Sequence, residues 1–266
     1  MDYNRHNAKA AWEYLTKRSP EVLVVGANTG KDCSYFVEFG AKSVVGLDVI
    51  DEVGSEFSHP KVTYLHESAE AMTSIADESF DLVYCYATME HVPNIEAAFA
   101  EMARVVKKGG IIYSLAAPLW RSPIGHHMGE FTASPWIHLV KSQEEIVEYA
   151  IQNNLFTTSK RARDVVAYML NPTFFNMRPS SQYTAACEKL SGLQFVHNEI
   201  LNEDRRLLDH PNAKAALARG IPEADLLGVT HRLVAAKLLD DGRMPIRNTG
   251  GIRMVARLKK KVRSIF

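Results

Sequence analysis

Two short apolar segments, separated by one amphipathic segment, constrain the fold of this chain most strongly. Glu21–Gly26 is rich in β-branched residues and ends on glycine, and Ser43–Asp48 ends on an acid. Between them, Asp32–Phe39 has helical spacing, and Gly40 follows at the position of a C-terminal cap. Strands that are apolar on both faces are typical of parallel sheets, whose consecutive strands need a crossover of this kind. The pattern predicts an α/β protein with a doubly wound, mostly parallel sheet.

The same alternation continues along the chain. An amphipathic N-terminal helix is expected to begin near Arg5 and to end near Ser19-Pro20. Further apolar segments have the length and composition of strands, and helical segments separate some of them. These later elements are strands Val62–Leu65, Phe80–Cys85 and Gly110–Leu115, helix Ile95–Val106, strands Gln194–Ile200 and Val229–Leu238, and a helical stretch (214–227) between the last two strands.

The region after Leu115 departs from this alternation. A long loop (117–139), rich in proline, histidine and tryptophan, precedes a helix predicted over Gln143–Asn153, and loops of this length are usually functional. Mixed aromatic and polar residues then favour an inserted helical lid, assigned to 161–192. We therefore expect one large domain over 1–240 with this lid inserted, followed by a C-terminal extension over 241–266.

Composition and net charge narrow the function classes. The 266 residues are 46% hydrophobic and 23% charged, as is typical of globular proteins. Basic and acidic residues both number 31, so no nucleic-acid partner is expected. The N-terminus lacks a signal-peptide core and no apolar stretch is long enough to span a bilayer, which predicts a cytoplasmic protein. The three cysteines stand far apart and indicate neither a disulfide framework nor a thiolate zinc site.

Charge is distributed unevenly along the chain. Every acidic residue lies before position 242, whereas eight lysines and arginines follow it, so the tail carries a formal +8 and the preceding part −8. Apolar residues recur among these bases at near-helical spacing, which suits peripheral contact with an anionic membrane or an acidic partner. A solvated helix, or a terminus docked on the acidic part of the chain, explains the same pattern.

A glycine-containing turn and a later acid indicate a nucleoside cofactor. The segment Gly26-Ala-Asn-Thr-Gly30 follows the first strand, and Asp48 ends the second. Small residues allow a ligand to approach the backbone closely, and a carboxylate after the next strand can accept from ribose hydroxyls. The dinucleotide pattern G-x-G-x-x-G is absent because Asn28 and Lys31 replace two of its glycines, and no P-loop pattern occurs. NAD, FAD and P-loop ATP chemistry are therefore disfavoured.

Five segments make the chain resemble the class I S-adenosylmethionine-dependent methyltransferases that act on small molecules. In order, they are VLVVGANTG, VVGLDV, HESAEAM, DESFDLVYCYATMEHV and ARVVKKGGIIY, all within residues 21–115. The resemblance implies a Rossmann-like, seven-stranded sheet and S-adenosyl-L-methionine as the cofactor. The first motif of the family has an acid where this chain has Val24 and a glycine where it has Asn28. Asparagine tolerates left-handed backbone, so the second departure is compatible with the turn.

The resemblance also implies which residues contact the cofactor. Asp48 would hold the ribose hydroxyls and Val49 would flank the adenine. Ser68 stands where an acid that meets the adenine amino group is common, and Glu67 is the alternative. A strand-to-helix turn and a helix cap explain the glycines and Asp48 without a ligand. The implied contacts are Gly26, Ala27, Asn28, Gly30, Asp48, Val49, Ser68, Ala69, Glu70, Cys85 and Tyr86, the last two through main-chain oxygens near the methionine ammonium.

Histidines that follow the fourth and fifth strands are the candidate catalytic residues. Alignment of the acceptor with the methyl carbon supplies much of the rate acceleration in methyl transfer from a sulfonium, but a hydroxyl acceptor must also lose its proton. His91, beside Glu90, is the first candidate for base or for positioning the acceptor, and His126 or His127 is the second. A helix cap at His91 and loop anchoring by the pair are the alternatives. These residues with Glu130 could bind a metal, but their spacing does not favour it, and we expect none.

The predicted reaction is O-methylation of a small molecule, a sugar or a lipid-linked hydroxyl. Trp120 in the long loop is expected near the acceptor, since such pockets are mostly apolar, and the lid aromatics are expected to pack the lid. Methylation of nitrogen or carbon is the alternative reaction. A protein that binds the cofactor without catalysis is the alternative from a different class.

Overall fold

One sheet organises the computed structural model of this chain, which describes residues 2–244. Its strands are β1 (Glu21–Val25), β2 (Ser43–Asp48), β3 (Val62–His66), β4 (Phe80–Tyr86), β5 (Val106–Ala116), β6 (Leu193–Asn202) and β7 (Gly228–Lys237). They lie in the order β3-β2-β1-β4-β5-β7-β6. Parallel pairing joins β1 to β2 and β4, β2 to β3, and β4 to β5. The predicted α/β class with a seven-stranded, Rossmann-like sheet is confirmed.

The central strands are buried, as their apolar composition predicts. Val22–Val25 of β1 are inaccessible to solvent, and most of β4 is buried beside it. Because β1, β2 and β4 run in parallel, their carboxyl ends meet at one edge of the sheet. The turns that follow these strands are therefore neighbours, which is where ligands bind in open α/β sheets.

Helices of 4 to 11 residues accompany the strands. In α2, Gly30 and Gly40 flank the helix in left-handed conformation (φ 104° and 98°), which confirms the predicted glycine cap. The helices are α1 (Tyr3–Glu13), α2 (Lys31–Phe39), α3 (Ile95–Val105), α4 (Ile137–Val140), α5 (Gln143–Gln152), α6 (Ser159–Met169), α7 (Ser180–Glu188), α8 (Pro211–Ala218) and α9 (Glu223–Leu227).

A lysine from β7 holds the C-terminal end of α3. Lys237 Nζ donates to Ala103 O and Val106 O, both at 3.0 Å, and lies 3.3 Å from the Glu78 carboxylate. The last carbonyls of a helix have no partner within the helix, and a cation there also interacts favourably with the helix dipole. Lys237 therefore fixes the helix that follows the β4 loop.

Two element boundaries differ from the predictions by four residues or more, and the helical stretch predicted over 214–227 is divided into α8 and α9. The N-terminal helix ends at Glu13 instead of near Ser19-Pro20, because Tyr14 and Leu15 bond to carbonyls three residues back and tighten the last turn. β5 begins at Val106 instead of Gly110, because Val106 pairs with Phe80 across an irregularity in the β4–β5 register. The remaining strand boundaries agree with the predictions to within two residues.

The described chain divides into two compact units. The first consists of residues 2–116, 183–199 and 232–244 and contains β1–β5 with α1–α3. The second consists of residues 117–182 and 200–231. One apolar cluster in the second unit forms around Phe131 and Val166, and another forms around Trp136. The long loop after β5 is therefore folded around cores of its own. The role of 161–192 as a lid stays a prediction.

The basic C-terminal extension was predicted over residues that the structure mostly does not describe. Of its eight lysines and arginines, Arg243 lies within residues 2–244 and the others lie outside the described residues. No helix in the described part combines the length and the apolar character needed to cross a bilayer.

Candidate cofactor site and active site

The turn after β1 adopts the conformation that its glycines and asparagine predict. Gly26, Asn28 and Gly30 all have positive φ, at 76°, 46° and 104°. The amide groups of Gly26 and Ala27 both donate to Leu47 O of β2, at 2.8 and 3.0 Å. Asn28 therefore occupies a left-handed position that glycine fills in the family motif, and asparagine adopts it at moderate cost.

Two side chains that sequence reasoning missed explain why glycine is required here. A Cβ on Gly26 would lie 2.0 Å from Thr88 Oγ1, in the loop after β4. A Cβ on Gly30 would lie 2.3 Å from the hydroxyl of Tyr64, whose ring also contacts Gly46 and whose OH donates to Phe57 O at 2.7 Å. The glycines thus accommodate protein side chains, which is a different reason from the close ligand approach predicted. No sequence signal near the turn indicated either contact.

Asp48 anchors the same turn through its carboxylate. Oδ2 accepts from Asn28 N at 2.8 Å, and Oδ1 accepts from Val49 N and Ile50 N at 2.7 and 3.3 Å. A carboxylate offers about four acceptor positions, so one position, on Oδ2, is left over. Asp48 therefore both holds the turn and retains capacity for one hydroxyl of a ligand.

Val49, directly after β2, is the most exposed large apolar side chain in the described part of the chain. It is 62% exposed, although its main-chain oxygen is held by His66 Nε2 at 2.7 Å. An apolar side chain held open beside a carboxylate with spare acceptor capacity matches the two chemical faces of a nucleoside, an aromatic base and a polar ribose. The residues after β2 therefore fit the nucleoside part of S-adenosyl-L-methionine.

The segment after β3 uses its polar groups within the protein. Ser68 Oγ accepts from Glu70 N at 3.1 Å, and Glu70 Oε1 accepts from Asn94 N at 2.5 Å. The alternative acid, Glu67, accepts from the Ser74 hydroxyl and amide. Ser68 and Glu67, the two residues considered for the adenine amino group, therefore both hold turns. The cofactor contacts of Ser68, Ala69 and Glu70 stay predictions.

The end of β4 presents main chain to the same edge of the sheet. Cys85 is fully buried, and burial, with the nearby charge of Glu90, raises the pKa of its thiol to about 12. A thiol with that pKa is not a nucleophile at neutral pH. Tyr86 O accepts from Thr88 Oγ1 at 3.1 Å and retains a second lone pair. The predicted roles of Cys85 and Tyr86 involve main-chain oxygens and are compatible with this burial.

Glu90 and His91 follow β4 in a tight loop. Ala87 opens the loop with a positive φ of 51°, and His91 N donates to Thr88 O at 2.8 Å. Glu90 is buried, whereas His91 is half-buried. The N-terminal cap of α3 is Asn94, whose Oδ1 accepts from Ala97 N at 3.0 Å. His91 is therefore not the cap that was its alternative role.

His126 and His127 belong to the second unit and differ in surroundings. His126 is fully buried, its Nδ1 accepts from Met128 N at 3.0 Å, and burial lowers the pKa of its imidazole well below the usual value. His127 is half-buried and its Nε2 lies 2.9 Å from Pro118 O. Both rings therefore contact the backbone of the loop, and the catalytic roles of His126 and His127 stay predictions. Glu130 is exposed, and no group of metal-ligating side chains occurs among residues 2–244.

Comparison with known proteins identifies the segment that carries these turns. Residues 23–114 match a family model described as a methyltransferase domain. Over 115 residues, the chain is 30% identical to the sterol 24-C-methyltransferase of Yarrowia lipolytica, which covers 40% of this chain and 30% of that protein. Over 118 residues, it is 32% identical to the ubiquinone biosynthesis O-methyltransferase of Saccharophagus degradans, which covers 42% of this chain and 50% of that protein. The chain thus spans at most half the length of these relatives.

Solved structures share the fold over most of the chain. An S-adenosylmethionine-dependent methyltransferase from Mesorhizobium loti superposes with a TM-score of 0.51, covering 86% of this chain and 94% of that one at 15% identity. The resemblance at this identity shows the fold, and the sequence match to the family places the characteristic motifs on β1–β5. The chain therefore contains a class I S-adenosylmethionine-dependent methyltransferase domain.

Proposed function

We propose that this protein binds S-adenosyl-L-methionine at the carboxyl ends of β1, β2 and β4 and transfers its methyl group to a hydroxyl of a small or lipid-linked acceptor in the cytoplasm. The observation that carries the proposal is the pairing of exposed Val49 with Asp48, which fits a nucleoside. The match of residues 23–114 to the methyltransferase domain family supports it independently.

The residues of this chain would divide the work by position. S-adenosyl-L-methionine, when bound, supplies a methyl group on a sulfonium, a good leaving group for in-line displacement. Asp48 and Val49 would bind and orient the nucleoside, and the main chain at Cys85 and Tyr86 would hold the methionine end. His91 would accept the proton of the acceptor hydroxyl as the acceptor oxygen forms its bond to the methyl carbon. Proximity and alignment would supply most of the acceleration.

The relatives support more than one acceptor chemistry. The sterol relative is named for methylation of carbon and the ubiquinone relative for methylation of oxygen. Oxygen is our choice because an imidazole directly after β4 suits a hydroxyl that must lose a proton. Methylation of carbon or nitrogen is the alternative, and a panel of phenols, sugars, sterols and amines, with the methylated atom identified in each product, would separate the three.

Calorimetric titration with S-adenosylhomocysteine tests the cofactor site. Val49→Ser removes apolar contact without disturbing a buried core, so we expect about fivefold weaker binding and unchanged stability. Asp48→Asn should weaken binding by roughly 10- to 100-fold, the value of a hydrogen bond to a charged group. Ile151→Ser and Asp209→Asn are matched controls, since both change exposed residues of the second unit. Equal affinity in all four variants, or no binding by the native chain, would refute the proposal.

A separate assay tests His91 once an acceptor is found. His91→Gln should lower kcat by about 100-fold or more and remove the lower limb of its pH profile, with affinity for S-adenosylhomocysteine unchanged. His6→Gln, at a half-buried histidine of α1, is the control. Native kcat in His91→Gln would reject the base and leave the methyltransferase activity standing. Cofactor binding without turnover on any acceptor would instead support a non-catalytic module.

A further inference from the structure

The outer side of α6 and the turn after it combine bases with exposed aromatic rings. Lys160, Arg161 and Arg163 are exposed in the first two turns, and none forms an ion pair within residues 2–244. The rings of Tyr168 and Phe174 lie 4.4 Å apart and are 42% and 37% exposed. We call these five residues the basic-aromatic surface.

Helical spacing places the helical members of this surface on one side. Arg161 and Tyr168 are seven residues apart, which is two turns, so their side chains share a stripe. The opposite side of the helix is buried. One acid, Asp164, lies among the three bases, so the outer side of α6 carries a formal charge of +2.

The exposed aromatic rings pack on the buried ring of Phe175, at 6.3 Å from Tyr168 and 4.9 Å from Phe174, yet both keep a large exposed fraction. The inner side of α6 contributes Ala162, Val165, Val166 and Met169 to a buried cluster that also contains residues of α5. Among residues 2–244, four large apolar side chains are exposed, and one of them, Val49, lies at the candidate cofactor site. The other three are Ile151, Tyr168 and Phe174, all within 24 residues of one another. Exposed apolar groups that cluster beside bases mark an interaction surface.

We propose that the basic-aromatic surface docks on the surface of an anionic bilayer. Bases near such a surface are attracted by its negative potential, and tyrosine and phenylalanine pack at the boundary between headgroups and acyl chains. The five residues supply both groups on α6 and the turn after it, and exposed rings flanked by bases match anionic headgroups lying above acyl chains. The observations that define this surface include neither the candidate catalytic residues nor the basic tail.

Vesicle sedimentation of the full chain tests the charge component. Each base contributes about 1 kcal/mol near an anionic surface, so removing three should lower partitioning onto phosphatidylcholine–phosphatidylserine vesicles by roughly 100-fold. The control removes equal charge from exposed lysines on α1, on α8 and in the turn after α7, and it should have a much smaller effect. The test variant is Lys160→Ser with Arg161→Ser and Arg163→Ser, and the control is Lys9→Ser with Lys189→Ser and Lys214→Ser.

A second variant separates bilayer insertion from simple attraction of charge. Tyr168→Ser with Phe174→Ser keeps every charge, including those of the tail, and should weaken binding to the same vesicles by roughly tenfold. The Phe174→Trp variant should show a blue-shifted emission with vesicles, whereas Ala185→Trp, at an exposed position of α7, should not. Equal loss in the two charge triples, or native binding by the aromatic variant, would overturn the proposal. Capture of the native chain on phosphatidylcholine alone would also contradict it.

Discussion

A buried histidine in the second unit makes the stability of this protein depend on pH in a calculable way. His138, in α4, is 7% exposed, and its Nε2 donates to Trp120 O at 2.7 Å. That bond leaves Nδ1 as the unprotonated nitrogen, and within the described part of the chain it has no hydrogen-bond partner. Its neighbours are the rings of Trp120 and His126, at 4.8 and 5.1 Å. Protonation would therefore place a buried charge among aromatic groups.

Burial lowers the pKa of His138 to about 4, against a usual value of 6.5. The folded protein therefore binds fewer protons than the unfolded chain below pH 6.5. The stabilisation is complete above that pH and is lost as the pH falls toward 4. Each pH unit within this window is worth about 1.4 kcal/mol, so the loss between pH 7 and pH 5 is about 2 kcal/mol.

The variant His138→Phe isolates this term because it keeps an aromatic ring and cannot bind a proton. It loses the bond to Trp120 O and should be about 1–3 kcal/mol less stable at pH 7. That gap should close by about 2 kcal/mol at pH 5, because His138 of the native sequence binds a proton there in the unfolded chain and not in the folded one, which favours unfolding. Urea unfolding at both values, followed by circular dichroism and tryptophan fluorescence, measures it and checks for two-state behaviour. His66→Phe is the exposed control, and a gap that stays constant or widens would refute the reasoning.

Two further predictions follow from single contacts. Gly26→Ala should destabilise the protein by about 1–3 kcal/mol and weaken S-adenosylhomocysteine binding, because the position has positive φ and lies against Thr88. Gly129→Ala, with open space and no positive φ, is the control. Equal melting temperatures of the two variants would contradict this prediction. Lys237→Met should lower the free energy of unfolding by about 2 kcal/mol, because carbonyls at the end of α3 lose their donor. Lys108→Met, the control, removes an exposed ion pair and should lower it by less than about 1 kcal/mol. Equal urea midpoints of the two variants would contradict the role of Lys237.

The sequence predicts the central sheet well because its strands are short segments made mostly of apolar residues. β2 begins and ends where predicted, and β1 and β3 differ by one residue each. The predictions fail where long-range pairing decides the outcome. β5 starts four residues early because Val106 pairs with Phe80 of β4, although Lys107 and Lys108 interrupt the apolar pattern. Local composition carries no information about such a partner.

The candidate site shows the same division between local and long-range information. The glycine pattern predicts the positive φ values at Gly26 and Gly30. It does not predict which side chains leave no room for a Cβ at these positions. Thr88 is 62 residues from Gly26 and Tyr64 is 34 residues from Gly30, so neither contact could be inferred from the turn itself. Likewise, His126 and His127 are adjacent in sequence, yet one is buried and the other half-buried. Residue type and spacing predict candidates, and burial then distinguishes them.

Asn28, which replaces a glycine of the family motif, is bonded to Asp48 in the structure. Asn28 has a side-chain oxygen that accepts from Thr29 N at 2.7 Å, while its own amide donates to Asp48 Oδ2. A non-glycine residue in left-handed conformation is thereby held from both sides, which offsets its backbone cost. Because the same oxygen of Asp48 retains the spare acceptor position, the geometry of the turn and the binding of a ribose hydroxyl depend on one atom. Asn28→Gly should therefore preserve the turn, whereas Asp48→Asn should disturb the turn and the ligand together. Equal affinity for S-adenosylhomocysteine in these two variants would show that the coupling is absent.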